Sequence, residues 1–130
     1  MRFGQSGPSE GEIRAGKALL AKAFKDLRKE GLIAKQNFMC CRSCASCSIW
    51  NDIDASPGKY KGAVYYCKQD GDNLRKSGKF YLGFGAADTD DNKVTALIGQ
   101  LTKVVLEKHG LKVEWDGSAG TRILVRFPQA

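Results

Sequence analysis

Gly62-Ala63-Val64-Tyr65-Tyr66-Cys67-Lys68-Gln69 and, after it, Phe80-Tyr81-Leu82-Gly83-Phe84-Gly85 decide the fold class of this chain. The first stretch has the β-branched and aromatic content of a strand. The second alternates large apolar residues with Tyr or Gly, so Phe80, Leu82 and Phe84 should share one face. Gly83 and Gly85 leave room for another backbone or a helix on the opposite face. Asp70-Gly71-Asp72-Asn73 between the two reads as the end of the first strand, and short links between consecutive strands predict antiparallel pairing.

Working outward toward the N-terminus, Ser9-Glu10-Gly11-Glu12 offers a capping serine with a glutamate three residues on, which predicts a helix start. On a projection of about 100° per residue, Ile13, Leu20, Phe24 and Leu27 fall within about 60° of one another, and Gly31 reads as the stop. Residues 1–8 read as a flexible leader to a single domain over 9–130. Leu32 to Phe38 reads as a short strand, and Cys41 to about Ile53 as a short helix before the turn signal Ser56-Pro57-Gly58. That helix is two-faced: Cys40, Cys41, Cys44 and Cys47 gather on one side, and Ile49, Trp50 and Ile53 on the other.

Toward the C-terminus, Asp88-Thr89-Asp90-Asp91 supplies caps and negative charge for a helix start. The helix stripe is Val94, Leu97, Ile98, Leu101, Val104 and Val105, closed by His109-Gly110. Leu111 to Trp115 and Thr121 to Phe127 then form two strands joined by the loop Asp116 to Gly120. The expected fold is α+β: a mostly antiparallel sheet of about five strands, two long amphipathic helices on one face, and a short cysteine-bearing helix.

Composition narrows the function classes. No apolar run approaches the roughly 18 residues of a membrane span, and Met1 to Pro8 lacks a signal-peptide core, so a cytoplasmic location is expected. The net charge of +7 favours acidic partners, a nucleic acid or an acidic protein, although no block of five or more like charges occurs. On the first helix Arg14, Lys17, Lys22, Lys25, Arg28 and Lys29 occupy one flank, whereas Glu12, Asp26 and Glu30 lie on the other. The basic flank is a candidate binding surface, set against the commoner case of a solvated face with Lys stems over apolar surface.

Four of the five cysteines fall within Cys40-Cys41-Arg42-Ser43-Cys44-Ala45-Ser46-Cys47. Structural zinc takes four Cys or His ligands, and Cys41-x-x-Cys44 and Cys44-x-x-Cys47 have the local spacing, so Cys40, Cys41, Cys44, Cys47 and Cys67 are candidate ligands. No second pair follows at a distance. Cys40-x-x-x-Cys44-x-x-Cys47 also has the spacing of iron–sulfur enzymes that use S-adenosylmethionine, but 130 residues cannot supply their large barrel. A redox pair of Cys41 and Cys44 is the alternative, because a helix N-terminus and Arg42 favour the thiolate. The plain reading is packing, with Cys40, Cys44 and Cys67 as small residues under the sheet. His109 is the only histidine, and at a helix end it reads as a cap rather than a base. Tyr65, Tyr66, Tyr81, Phe84 and Trp115 could stack bases but suit sheet packing better.

Lys35-Gln36-Asn37-Phe38 running into Cys40-Cys41-Arg42-Ser43-Cys44, then Tyr66-Cys67-Lys68-Gln69-Asp70, then Val113-Glu114-Trp115-Asp116-Gly117 before Thr121-Arg122-Ile123, resembles an uncharacterised bacterial domain-of-unknown-function family. The resemblance covers about residues 12 to 127 and implies one domain and no particular activity. Short of acid, base and nucleophile constellations, the sequence leans away from an enzyme. It points to a macromolecule-binding domain with a cysteine-rich, candidate zinc element, and sets no oligomeric state.

Overall fold

Ser9 opens the chain's first helix as expected: its hydroxyl accepts the Glu12 amide at 3.1 Å, and the Glu12 carboxylate accepts the Ser9 amide at 2.9 Å. The computed structural model describes residues 9–87, 89 and 91–128. The expected leader over residues 1–8, and Asp88 and Asp90 of the expected acidic cap, lie outside them. The elements run α1 (Glu10–Lys29), β1 (Leu32–Lys35), α2 (Arg42–Asp54), β2 (Gly62–Tyr65), α3 (Lys68–Ser77), β3 (Lys79–Ala86), α4 (Asn92–Lys108), β4 (Lys112–Glu114) and β5 (Ile123–Arg126). Among the described residues no helix is long and apolar enough to cross a membrane.

The five strands form one sheet in the order β1-β2-β3-β5-β4. It is mixed, which corrects the expectation of a mostly antiparallel sheet: β1 and β2 run parallel, Leu32 opposite Gly62 and Lys35 opposite Tyr65. The cause is α2, whose length makes the β1–β2 connection a crossover rather than a hairpin. β3 changes partner along its length. Gly83 to Ala86 pair with β2, and Lys79 to Leu82 pair with β5.

The sheet divides the core. On one face Leu20, Phe24 and Leu27 of α1 and Ile98, Val105 and Leu106 of α4 pack with Phe80 and Leu82, so the two long helices share a face as predicted. Each fully buried Leu or Phe of this layer contributes about 2 kcal/mol. On the other face Ala45, Ile49 and Ile53 of α2 pack with Ile33, Ala63 and Tyr65. Gly85 makes room for a helix as expected, since a Cβ there would lie 2.6 Å from the Trp50 ring of α2, whereas at Gly83 the space is taken by a side chain of the neighbouring strand, the Tyr65 ring 2.7 Å from where a Cβ would be.

Two further corrections concern helices. Lys68 to Asn73 do not end a strand; they begin α3, a fourth helix. Asp70, read as a turn residue, accepts the Cys67 amide at 3.3 Å and so caps the helix it was expected to exclude. Gly78 closes it in the left-handed region at φ 73°. On α4 only part of the predicted stripe is buried. Ile98 and Val105 face the sheet, while Leu97 is 66% exposed, Val104 53% and Val94 37%.

Candidate metal centre

The cysteine segment is placed by a backbone seam. Beyond β1, Lys35 C=O accepts Tyr66 N–H at 3.2 Å, Phe38 N–H donates to Tyr66 C=O at 2.8 Å, and Lys68 N–H donates to Met39 C=O at 3.0 Å. Between these bonds Asn37 (φ 49°) and Met39 (φ 63°) adopt left-handed conformations. Each costs a side-chain-bearing residue about 1 kcal/mol, which the seam must hold in place. The turn delivers Cys40 and Cys41 to the start of α2, where Cys41 is the N-cap and its carbonyl accepts Ala45 N–H at 2.9 Å.

The sulfurs of Cys40, Cys41 and Cys44 lie within 4.8 Å of one another. Zinc–thiolate bonds of about 2.3 Å in a tetrahedron set sulfurs roughly 3.8 Å apart, so contraction by about 1 Å would let the three sulfurs hold one ion. Cys47 lies outside the group; it is exposed, with Asn51 Nδ2 at 3.9 Å. Cys67 is also outside. It is buried with Ile33 and Ile49, and its thiol donates to Asp70 Oδ2 at 3.2 Å. Simple packing thus accounts for Cys67 but not for Cys40 and Cys44, which are exposed. Without Cys47 the iron–sulfur spacing does not close.

The three thiols are unequal. The Cys44 backbone N–H, and then the Cys44 and Cys40 side chains, donate toward the Cys41 sulfur and hold its pKa below the usual thiol value. The Cys44 thiol is pushed up to about 11 by its hydrogen bonds to Cys41 and Cys40 and by their charge. Cys41 therefore loses its proton ahead of Cys44. Burial pushes the Cys67 thiol up.

Beside the trio stands a residue that sequence reasoning missed as a partner. Asp70, 1% exposed, receives Arg42 Nη2 at 3.4 Å and Arg122 Nη2 at 3.5 Å. Arg122 Nη1 is buried without a hydrogen-bond partner. A Cβ on Gly71 would clash with Asn37 Oδ1, and Tyr66 O–H donates to Gln36 Oε1 at 2.9 Å. Three remote segments thus meet at the head of α3. The available signal was Cys67-x-x-Asp70, the spacing of a capping residue and its N3 acid.

A family model described as Domain of unknown function (DUF6891) matches residues 18–128. The chain belongs to that family. No curated protein and no solved structure matches it. The DUF6891 match spans every strand, the cysteine trio and Asp70.

In this DUF6891 domain Arg14, Lys17, Lys22, Lys25, Arg28 and Lys29 are all exposed. Arg28 Nε donates to Ala34 C=O at 3.1 Å. The acidic flank is used internally: Asp26 Oδ2 lies 2.7 Å from His109 Nε2 and 3.8 Å from Lys108 Nζ. His109 is the C-cap of α4, committed to α1. Of the aromatics, Tyr65 and Tyr66 are buried and Phe84 packs edge-on against Trp115, leaving Tyr81 exposed at 44%.

Proposed function

We propose that this is a non-enzymatic, macromolecule-binding domain that holds a zinc ion through Cys40, Cys41 and Cys44. The observation behind the metal is the clustering of three thiol sulfurs at an exposed helix start. Three protein ligands leave a fourth position open, which suits a donor from solvent or from a bound partner. The positive end of α2 and Arg42 offset the thiolate charge. The basic flank of α1 is the contact surface for an acidic protein or nucleic acid, because its six cations are exposed while Asp26 of the acidic flank is engaged by α4. A cytoplasmic setting would keep the thiols reduced.

Metal analysis of protein purified without chelator, combined with a free-thiol count, tests the zinc reading. One equivalent of zinc, absent from Cys41→Ser and Cys44→Ser but retained in Cys47→Ser, is expected; metal-free protein that takes up no zinc or cobalt overturns it. For the surface, charge reversal at Lys22, Lys25 and Lys29 should abolish capture of acidic partners. Unchanged capture rules that surface out.

The lowered pKa of Cys41 favours a second reading, a thiol–disulfide exchange protein. The Cys41 thiolate would attack a disulfide such as oxidised glutathione, forming a mixed disulfide and expelling one thiolate. Cys44, losing its proton to solvent, would then displace the second thiolate and close a Cys41–Cys44 disulfide. Treatment of metal-free protein with oxidised glutathione and a mass loss of two hydrogens mapped to Cys41 and Cys44 is its signature; a stable glutathione adduct without closure excludes it.

A further inference from the structure

The sheet does not use the whole apolar face of α4. Val94, Leu97 and Val104 are exposed, and Leu101 is half-buried in line with them. Their steps of three, four and three residues place them in one row on the helix, as in a coiled-coil seam. Ile98 and Val105 bound the row on the sheet side. Lys93, Gln100 and Glu107, all exposed, bound it on the solvent side at steps of seven. Contiguous exposed apolar side chains of this size mark an interaction surface.

The row is complementary to itself under a two-fold axis. Turning a second α4 antiparallel about the level of Gly99 and Gln100 sets Val94 against the partner's Val104 and Leu97 against the partner's Leu101. The same rotation brings Lys93 to the partner's Glu107, Glu107 to the partner's Lys93, and the two Gln100 amides together. Neither Lys93 nor Glu107 has an ion-pair partner among the described residues. A parallel arrangement would instead set the Lys93–Gln100 edge against the partner's Ile98–Val105 edge and give Lys93 and Glu107 no such pairing. We propose that the Val94–Leu97–Leu101–Val104 row of α4, exposed at all but the half-buried Leu101, pairs antiparallel with the same row of a second copy, forming a two-fold homodimer. Isologous pairing of one patch with itself is the commonest oligomer geometry. A single helix pair is at the small end of specific interfaces, so this dimer should dissociate on dilution.

Sedimentation equilibrium of the full chain over a wide concentration range tests the pairing, with circular dichroism to confirm folding of each variant. Wild type should show a reversible monomer–dimer equilibrium. Leu97→Glu should weaken it at least about a hundred-fold, since two copies lose a buried contact. Lys93→Glu and Glu107→Lys should each weaken it about ten-fold, each altering two symmetry-related pairs. The double variant Lys93→Glu with Glu107→Lys should restore the wild-type affinity. A wild type that stays monomeric throughout, a dimer indifferent to Leu97→Glu, or a double variant no better than the singles overturns the proposal.

Discussion

Cys41 serves two ends: its backbone opens α2, and its sulfur receives donors from Cys44 and Cys40. The second effect should be visible in chemistry. At neutral pH in metal-free protein, iodoacetamide should modify Cys41 well ahead of Cys44, whose pKa of about 11 keeps it protonated. Cys67, buried and raised, should resist until the protein unfolds. Peptide mapping after timed alkylation reads this order; equal rates at Cys41 and Cys44 would contradict the hydrogen-bond assignment. Because protons compete with metal for the same sulfurs, zinc affinity should rise with pH across the neutral range.

Two elements depend on single carboxylates. Asp70 caps α3 and receives two arginines, both more solvated than the carboxylate itself, so solvent screens the ionic part. Asp70→Ala is expected to lower stability by about 2 kcal/mol through the lost cap and the desolvated guanidinium of Arg122, measurable by urea denaturation. Asp26 joins α1 to α4. Its hydrogen bond with His109, followed by the charge of Lys108, holds its pKa below the usual carboxylate value. The folded state therefore binds that proton less readily than the unfolded chain. The contribution is present above about pH 4 and is lost as pH falls through the lowered folded value. Asp26→Asn should shrink the difference in urea midpoint between neutral pH and pH 3.

The elements that were legible in the sequence are those whose signals are local. The stripe of α1, the cap at Ser9, the stop at Gly31 and the two-faced α2 follow from spacing alone, and the last places the thiols outward and Ile49 and Ile53 inward. α3 was hidden because Asp70-Gly71-Asp72-Asn73 has turn composition. Asp70 gains its meaning from arginines far away in the chain, and Gly71 from the approach of Asn37. The setting of Cys67 is hidden with the helix: once α3 starts at Lys68, Cys67 becomes its N-cap and its thiol donates to Asp70 three residues on.

At the scale of the molecule, β3 is the strand through which the two ends of the sheet communicate, and no residue of it is paired on both sides. The β1–β2 end and the β5–β4 end consequently share no continuous ladder of backbone bonds. On the backbone bonds alone each is expected to open by itself while the other stays closed, as two cooperative units rather than one. β4 pairs through only Lys112, Val113 and Glu114, whereas β2 is bonded along both edges. Native-state hydrogen exchange should find the β4–β5 amides protected by less free energy than those of Ala63 and Val64, with the two sets differing in denaturant dependence. A single shared opening for all strands would show that α1 and α4, packed across one face, bind the halves into one unit.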